Sequence, residues 1–187
     1  MLAGYLHNQF LVAMPSLADP NFAQTVTLIC EHNARGALGI VLNRPLSMRL
    51  GDVFEQLDLP QHGQSRADQR ILRGGPVQGD RGFVLHVPDG EWDSTLKVSD
   101  TLHVTTSRDI LVAMAGGQGP RQTVMALGYA GWEAGQLEDE IRSNAWLNVP
   151  ADDSSIIFDV PFEQRWHAAA RLLGVDLGRI SASAGHA

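Results

Sequence analysis

The chain of 187 residues is 44% hydrophobic and 19% charged, a balance that is typical of a globular domain and excludes an intrinsically disordered chain. Its formal net charge is −7, and neither half of the chain concentrates the basic residues. A protein that binds nucleic acid needs a local positive field that displaces counterions from the phosphates. We therefore expect no direct binding to nucleic acid.

The sequence also bears on compartment and domain number. Residues 1–6 lack the basic start and the apolar run of a signal peptide, and the apolar stretch around residues 39–42 is too short to span a bilayer. Cys30 is the only cysteine, so no intrachain disulfide can form. With no linker, repeat or low-complexity segment, these features predict a single compact domain over residues 1–187, in the cytoplasm and without membrane association.

The first third of the chain is predicted to be β structure. Apolar runs that stop at turn residues indicate strands at residues 10–14, 25–31 and 37–42, with the last two forming a hairpin. Because side chains alternate along a strand, Val26, Leu28 and Cys30 should point to one face of the second strand. Ile29 should then point to the other face.

Helices become more frequent towards the end of the chain. We predict helices at residues 50–57, 106–115, 136–145 and 159–173, and strands at 70–73, 82–87, 95–98, 102–104 and 123–127. Gly174 should end the last helix in the left-handed conformation. The apolar stripe of that helix is Phe162, Trp166, Ala169, Ala170 and Leu173. Strands that cluster early and helices that cluster late favour an α+β fold over a doubly wound parallel sheet.

The four tryptophans are expected to differ in burial. Trp132, Trp146 and Trp166 should lie in the core, where a large aromatic ring contributes most. Trp92 stands between two acidic residues and should be exposed.

Short segments along nearly the whole chain match one protein family in order. They include Met14-Pro15, Asp19-Pro20, Cys30-Glu31-His32, Asn43-x-Pro45, Gly74-Gly75-Pro76-Val77, Arg81-Gly82-Phe83, Thr106-Ser107-Arg108-Asp109, Gly128-Tyr129-Ala130, Asn144-Ala145-Trp146 and the terminal Ala184-Gly185-His186-Ala187. On these segments the chain resembles the YqgE/AlgH family.

The resemblance implies a fold more than an activity. Members of this family are bacterial and largely uncharacterised, and their fold is an irregular α+β arrangement in which a bent or split β-sheet closes into a pseudo-barrel with flanking helices. One branch carries the label of a transcriptional regulator of alginate production. No catalytic residues are established for the family, so the resemblance assigns none.

Cys30-Glu31-His32 is the sharpest local feature of the sequence. If the strand continues regularly, Cys30 and His32 share a face at a spacing of about 6.6–7 Å. The imidazole could then favour the thiolate, as it does in reactive cysteines. Alternatively, Cys30 continues the apolar row of Val26 and Leu28 as an inert core thiol. Cys30 and His32 are therefore candidate catalytic residues, with the core interpretation open beside them.

The glycine-rich turn Gly74-Gly75-Pro76 is a second candidate site, because arginines flank it. Glycine backbone N–H groups can converge on an anion, and an arginine adds bidentate contacts. The sequence thus indicates a binding site for a small anion that consists of Arg73, Gly74, Gly75 and Arg81. The same glycines also suit a tight turn with positive φ.

Other patterns argue against cofactors and metals. Gly128-x-x-Gly131-x-x-x-Gly135 matches neither the P-loop nor the dinucleotide fingerprint, and no Gly-x-Ser-x-Gly elbow of a serine hydrolase is present. The seven histidines lack the His-x-His, His-x-x-x-His and Glu-x-x-His spacings of metal ligands. We expect no bound metal and no cofactor.

These observations favour a non-enzymatic binding or regulatory protein, because no catalytic pattern is assembled and the family carries a regulatory label. Its partner would be a small molecule or another protein, and the oligomeric state is left open. The alternative is a thiol-based redox sensor or an enzyme that uses Cys30 with His32.

Overall fold

The structure is a computed structural model that describes residues 4–63 and 66–184, with residues 181–184 described by their backbone alone. The terminal segment of the family resemblance, residues 184–187 with His186, lies outside the residues whose side chains are described. The same holds for residues 1–3 of the N-terminal segment.

Strands and helices alternate irregularly along the described chain. The strands are β1 (Gln9–Ala13), β2 (Val26–Asn33), β3 (Gly36–Val41), β4 (Pro45–Arg49), β5 (Arg70–Arg73), β6 (Val77–His86), β7 (Thr95–Lys97), β8 (His103–Thr105), β9 (Thr123–Glu133) and β10 (Trp146–Pro150). The helices are α1 (Leu50–Gln56), α2 (Arg108–Ala115), α3 (Gln136–Arg142), α4 (Ser155–Phe158), α5 (Arg165–Arg171) and α6 (Leu177–Ala184), with a 3₁₀ turn at Phe162–Gln164.

Within the described residues the ten strands form one curled, half-barrel sheet that is mainly antiparallel. Its order is β10-β1-β2-β3-β9-β6-β8-β7, with β5 paired to β9 and β4 paired to β5. The parallel pair is β5 with β9. This architecture confirms the predicted α+β class with a bent sheet and flanking helices.

β9 connects the two halves of the sheet. One edge of β9 pairs with β6, and the other edge pairs first with β5 at Ala126 and Leu127 and then with β3 from Ala130 to Glu133. Gly128 lies at this changeover with a φ of 79°. That conformation favours glycine because it strains residues that have a Cβ atom.

The turn between β5 and β6 comes into very close backbone contact with β9. A Cβ atom on Gly74 would lie 2.3 Å from the carbonyl oxygen of Gly128, and one on Gly75 would lie 2.1 Å from the carbonyl carbon of Tyr129. The N–H of Gly74 donates to the carbonyl of Leu127 at 2.8 Å. The Gly74-Gly75 pair is therefore required by close approach, because any side chain would push the turn away from β9.

Three apolar clusters hold the helices on the sheet. The largest packs α4, α5 and α6 against strands and includes Phe10, Leu28, Phe83, Trp166 and Leu177. The second lies under α1 and α2 and includes Phe54, Val84, Ile110, Met114 and Met125. The third lies under α3 and includes Leu11, Ile29, Trp132, Leu137 and Trp146.

The early strands and α1 and α2 confirm the sequence prediction, but later elements differ in extent. β9 runs through Gly128 to Glu133, whereas the prediction ended at residue 127. The helix predicted to residue 145 ends at Arg142, because Asn144 adopts a left-handed φ of 61°. β4, β10, α4 and α6 were not predicted.

The helix predicted from about residue 159 to residue 173 is present but shorter. It begins after Pro161 as the 3₁₀ turn Phe162–Gln164 and continues directly as α5 to Arg171. Pro161 precedes the first helical turn, where its missing N–H costs no helical hydrogen bond. Leu173 is 44% exposed and does not belong to the buried stripe, whereas Trp166, Ala169 and Ala170 are buried. Gly174 has the expected left-handed φ of 72°.

Trp132, Trp146 and Trp166 are buried, as predicted. The prediction of an exposed Trp92 is wrong, because its ring is half-buried against the second cluster. Its Nε1 also donates to the carbonyl of Asp89 at 3.2 Å. No helix in the described part of the chain has the length and apolarity needed to cross a membrane.

Substituting Trp166 with alanine should lower the free energy of unfolding by about 3–5 kcal/mol. The Trp166 ring packs in the largest cluster, and its Nε1 donates to the buried carbonyl of Ala13 at 2.9 Å. Urea denaturation measures the change. Leu173→Ala is the matched control and should stay within about 0.5 kcal/mol, because Leu173 is exposed. Equal effects of the two substitutions would contradict this placement of α5.

Candidate functional site

Cys30 lies in the core at the end of the apolar row on β2. It is 3% exposed and belongs to the largest cluster together with Val26 and Leu28. Burial raises the pKa of the Cys30 thiol to about 12, and the negative charge of Glu31 adds to the rise. The thiol is therefore protonated at neutral pH, and its chemistry is that of a small apolar core group.

His32 faces a different set of neighbours. The pairing of β2 with β3 shifts register between Ile29 and Glu31, so a bulge interrupts the regular alternation of side chains. The Nδ1 of His32 accepts the N–H of Leu6 at 2.9 Å, and its Nε2 is hydrogen-bonded to the carboxylate of Glu138 on α3. The structure therefore does not give Cys30 and His32 the common face that a regular strand would provide.

The hydrogen bonds of His32 define its tautomer. Because the backbone N–H of Leu6 is a donor, Nδ1 must be unprotonated, and Nε2 then donates its hydrogen to Glu138. The ring of Tyr5 also packs edge-on against the imidazole at a centroid distance of 5.0 Å. His32 thereby connects the N-terminal segment, β2 and α3.

A second carboxylate of α3 connects this helix to the sheet, and sequence reasoning missed it. Glu140 Oε1 accepts hydrogen bonds from Trp132 Nε1 at 3.2 Å and Trp146 Nε1 at 3.0 Å. Buried indole N–H groups require an acceptor, and that requirement was the available signal. Glu138 and Glu140 thus have structural partners.

Arg81 lines a cleft with Cys30 and is not among the residues that line the cavity at the glycine turn. Both residues line an open cleft of about 340 Å³, together with Glu31, Phe83 and Thr106. The guanidinium of Arg81 lies over the Phe83 ring at 5.1 Å from its centroid, a cation–π contact. The structure therefore brings together one member of each predicted site, Cys30 and Arg81.

The predicted anion site of Arg73, Gly74, Gly75 and Arg81 does not assemble as a set. Arg73 and Gly75 line a small cavity of about 50 Å³, which Arg44 lines as well. Gly74 is buried in the seam with β9, and Arg81 belongs to the other cleft. The second arginine at this cavity is Arg44 and not the predicted Arg81, because β4 pairs with β5 and brings Arg44 next to Arg73. The sequence did not predict that pairing.

A cleft of about 470 Å³ lies on the sheet between α1 and α2; we call it the α1–α2 cleft. Its floor consists of side chains from β6 and β9, including Val84 and Met125, and its walls include Leu57 and Leu111. The polar groups in its lining come mainly from the segment that leads into α2. They are Gln56, Asp80, Thr105, Thr106, Ser107 and Arg108.

Two local features keep the α1–α2 cleft open. Gly82 has no side chain to occupy the floor of the cleft, where a Cβ atom would lie 2.9 Å from the terminal carbon of Met125. Arg108 Nη2 donates to the carbonyl of Leu57 at 3.0 Å and so links α2 to α1. The cleft is therefore a consequence of the fold and not of one mobile side chain.

Asp109 positions the start of α2 beside this cleft. Its carboxylate accepts the Ser107 hydroxyl at 2.6 Å and the N–H of Asp93 at 2.8 Å. Ser107 is the N-cap of α2 and makes no side-chain capping bond to the helix.

A buried polar chain also lies beneath the cleft. His86 Nδ1 donates to the carbonyl of Val87 at 2.7 Å, so its Nε2 accepts the Thr105 hydroxyl at 2.7 Å. Thr105 is also hydrogen-bonded to Thr95 Oγ1 at 2.8 Å. Burial lowers the pKa of His86, which keeps the imidazole neutral. Because Thr105 is fully buried and satisfied on both sides, this chain serves the fold.

Metal ligands do not cluster in the described part of the chain. No group of three or more His, Cys, Asp or Glu side chains there could hold a metal ion.

Alkylation of Cys30 should be slow in the folded protein. At neutral pH, iodoacetamide should react at least about a hundredfold more slowly with native protein than with urea-unfolded protein, because the raised pKa removes the thiolate. Mass spectrometry over time measures both rates, and the native rate should rise as the pH is made alkaline. His32→Gln should not slow native labelling. A fast native reaction that this substitution abolishes would instead support a functional Cys30–His32 pair.

Comparisons with known proteins agree with this architecture. A family model described as AlgH-like matches residues 10–178. A UPF0301 protein of Nitrosococcus oceani is 54% identical over 183 residues, which cover 98% of this chain and 97% of that protein. A UPF0301 protein of Thioalkalivibrio sulfidiphilus is 57% identical over 180 residues, covering 96% of each.

Solved structures are similar as well. The solution structure of the AlgH protein from Pseudomonas aeruginosa matches with a TM-score of 0.80 at 51% identity, covering 100% of this chain and 98% of that one. A crystal structure of a Corynebacterium diphtheriae protein, at 22% identity and a TM-score of 0.69, covers 92% of this chain and 89% of that one and shares the fold. The chain therefore belongs to the AlgH-like family of UPF0301 proteins.

Proposed function

We propose that this protein is a non-enzymatic binding protein that takes an apolar group of a small molecule or of a protein partner into the α1–α2 cleft. The observation that carries the proposal is the cleft itself. Its volume of about 470 Å³ falls within the usual size range of ligand pockets. Mainly apolar walls with a few polar groups are the common composition of such sites.

The residues of the cleft suit an adaptable binding surface. Met48 and Met125 are unbranched and polarizable, so they can fit the shape of different apolar groups. Leu57 at the wall is 37% exposed, which leaves apolar surface in contact with water until it is covered. Arg108 and Asp80 add one charge of each sign to the lining and would orient the bound group.

The thiol alternative has less support. A functional Cys30 would need an accessible thiolate, whereas burial raises its pKa and His32 is engaged by Leu6 and Glu138. Three expectations stay predictions: a reactive Cys30 with His32, the absence of enzymatic activity and the cytoplasmic location.

If the protein has a regulatory role, that role would arise from occupancy of the α1–α2 cleft.

Filling the cleft should abolish the binding of an apolar probe. Anilinonaphthalene sulfonate should bind native protein saturably, and Gly82→Leu should weaken that binding by at least about tenfold because the leucine occupies the floor of the cleft. Gly82 tolerates a side chain, since its φ is not positive and the nearest atom is the end of the flexible Met125. A fluorescence titration measures the dissociation constants.

Gly131→Leu is the matched control for this experiment. Gly131 also lies in the sheet without a positive φ, and a Cβ atom there would make ordinary contact with Tyr129 at 3.6 Å. This substitution should leave probe binding unchanged. The proposal fails if the probe does not bind the native protein, or if both leucine variants reduce binding equally.

Direct DNA recognition is not expected, because a net charge of −7 supplies no extended basic surface for phosphates. In gel-shift assays at physiological salt, the protein should not shift duplex DNA with nanomolar, sequence-selective affinity. An excess of a nonspecific competitor DNA distinguishes selective from general binding. A selective shift that survives the competitor would contradict the prediction and support a regulator that contacts DNA directly.

A further inference from the structure

The function proposed for the α1–α2 cleft assigns no role to the cavity of about 50 Å³ beside the β5–β6 turn, which two arginines line. The lining of this cavity includes Arg44 and Arg73, together with Asn21, Gly75 and Pro76. Three segments that are distant in sequence meet here: the loop after β1, the connection from β3 to β4, and the β5–β6 turn. We call this the two-arginine cavity.

Specific hydrogen bonds hold the walls of this cavity together. Asn43 accepts the N–H of Val26 at 3.1 Å through Oδ1 and donates to the carbonyl of Gln24 at 2.9 Å through Nδ2. Arg44 Nη2 donates to the carbonyl of Ala23 at 2.8 Å. The loop after β1 is therefore held against the start of β4, which makes one wall of the cavity.

The backbone also holds the two arginines side by side. The N–H of Arg73 donates to the carbonyl of Arg44 at 2.7 Å. Val41, which also lines the cavity, donates its N–H to the carbonyl of Gly74 at 2.8 Å. Because Gly74 and Gly75 have no side chains, the turn packs closely against β9, while the pairing of β4 with β5 keeps Arg73 next to Arg44.

The charges of this pair are not neutralised within the protein. Among the residues that the structure describes, neither Arg44 nor Arg73 has a carboxylate within 4 Å, although acidic residues outnumber basic ones in the chain. The acidic residue of the loop between β1 and β2, Asp19, accepts the N–H of Asn21 at 2.9 Å. Two positively charged residues that line one cavity repel each other, and an anion bound there would be attracted to both.

We propose that Arg44 and Arg73 bind a small oxyanion, a phosphate or phosphoryl group, in the two-arginine cavity. Guanidinium groups bind such oxygens through paired, charge-assisted hydrogen bonds. The volume corresponds to a few water molecules, which suits one phosphate and excludes a nucleotide inside the cavity. The exposed side of Arg73 leaves room for a small substituent on the phosphate. The proposal does not depend on the α1–α2 cleft.

Amide NMR titration of the folded chain with inorganic phosphate tests the site, with ionic strength held constant by chloride. Saturable shifts should appear at Asn21, Arg44 and Gly75. Arg73→Gln should weaken phosphate binding by at least about tenfold, since each charge-assisted hydrogen bond contributes that much or more. The matched control is Arg81→Gln, which removes the same charge from the other cleft and should leave binding unchanged.

Arg44 is tested separately because its side chain also holds the loop. Arg44→Gln should weaken binding as Arg73→Gln does, and Arg73→Gln decides the question if the Arg44 variant does not fold. Titration with O-phosphoserine distinguishes a phosphoryl group from the free anion: binding of both probes supports a phosphoryl site, and binding of phosphate alone supports a site for the free ion. Linear, unsaturable shifts, or equal losses in the Arg73 and Arg81 variants, would overturn the proposal.

Discussion

The close contact between the β5–β6 turn and β9 is the constraint on which the rest of the structure depends. At Gly74, Gly75 and Gly128, backbone atoms occupy the space that side chains would need. The contact lets β3 and β5 follow each other along one edge of β9 while β6 pairs with its other edge. A β-sheet that curls in this way needs a residue at the bend that accepts a positive φ, and Gly128 supplies it.

Both candidate binding sites depend on that contact. It positions Gly75 at the edge of the two-arginine cavity, where the pairing of β4 with β5 sets Arg44 beside Arg73. It also places the first residues of β6 against Gly128, where a Cβ atom would lie 3.3 Å from the Cα of Gly79. Gly79 and its neighbour Asp80 line the α1–α2 cleft. The two sites therefore lie on either side of one junction, although their lining residues do not overlap.

Sequence patterns predicted the local elements well and the long-range contacts poorly, for physical reasons. Alternation on β2 correctly placed Val26, Leu28 and Cys30 in one core. The rule is local, because side chains two residues apart on a regular strand point to the same face. The same rule failed at His32, since a bulge depends on the pairing with β3. β10 is half-buried at the sheet edge and lacks a clear alternation, so its pairing with β1 had no local signal.

The candidate sites show the same division. The sequence indicated Arg73 and Gly75 but joined them with Arg81, which is close along the chain, instead of Arg44, which is close only because β4 pairs with β5. Cys30-Glu31-His32 stood out in the sequence, yet the fold accounts for both ends of it: the thiol fills the core, and the imidazole accepts Leu6 and donates to Glu138. A side chain whose packing surface or hydrogen-bonding atoms are already used within the protein has little capacity left to bind a ligand. Function is better sought in the open apolar walls between α1 and α2 and in the small cavity that Arg44 and Arg73 line, where no described carboxylate pairs with either arginine.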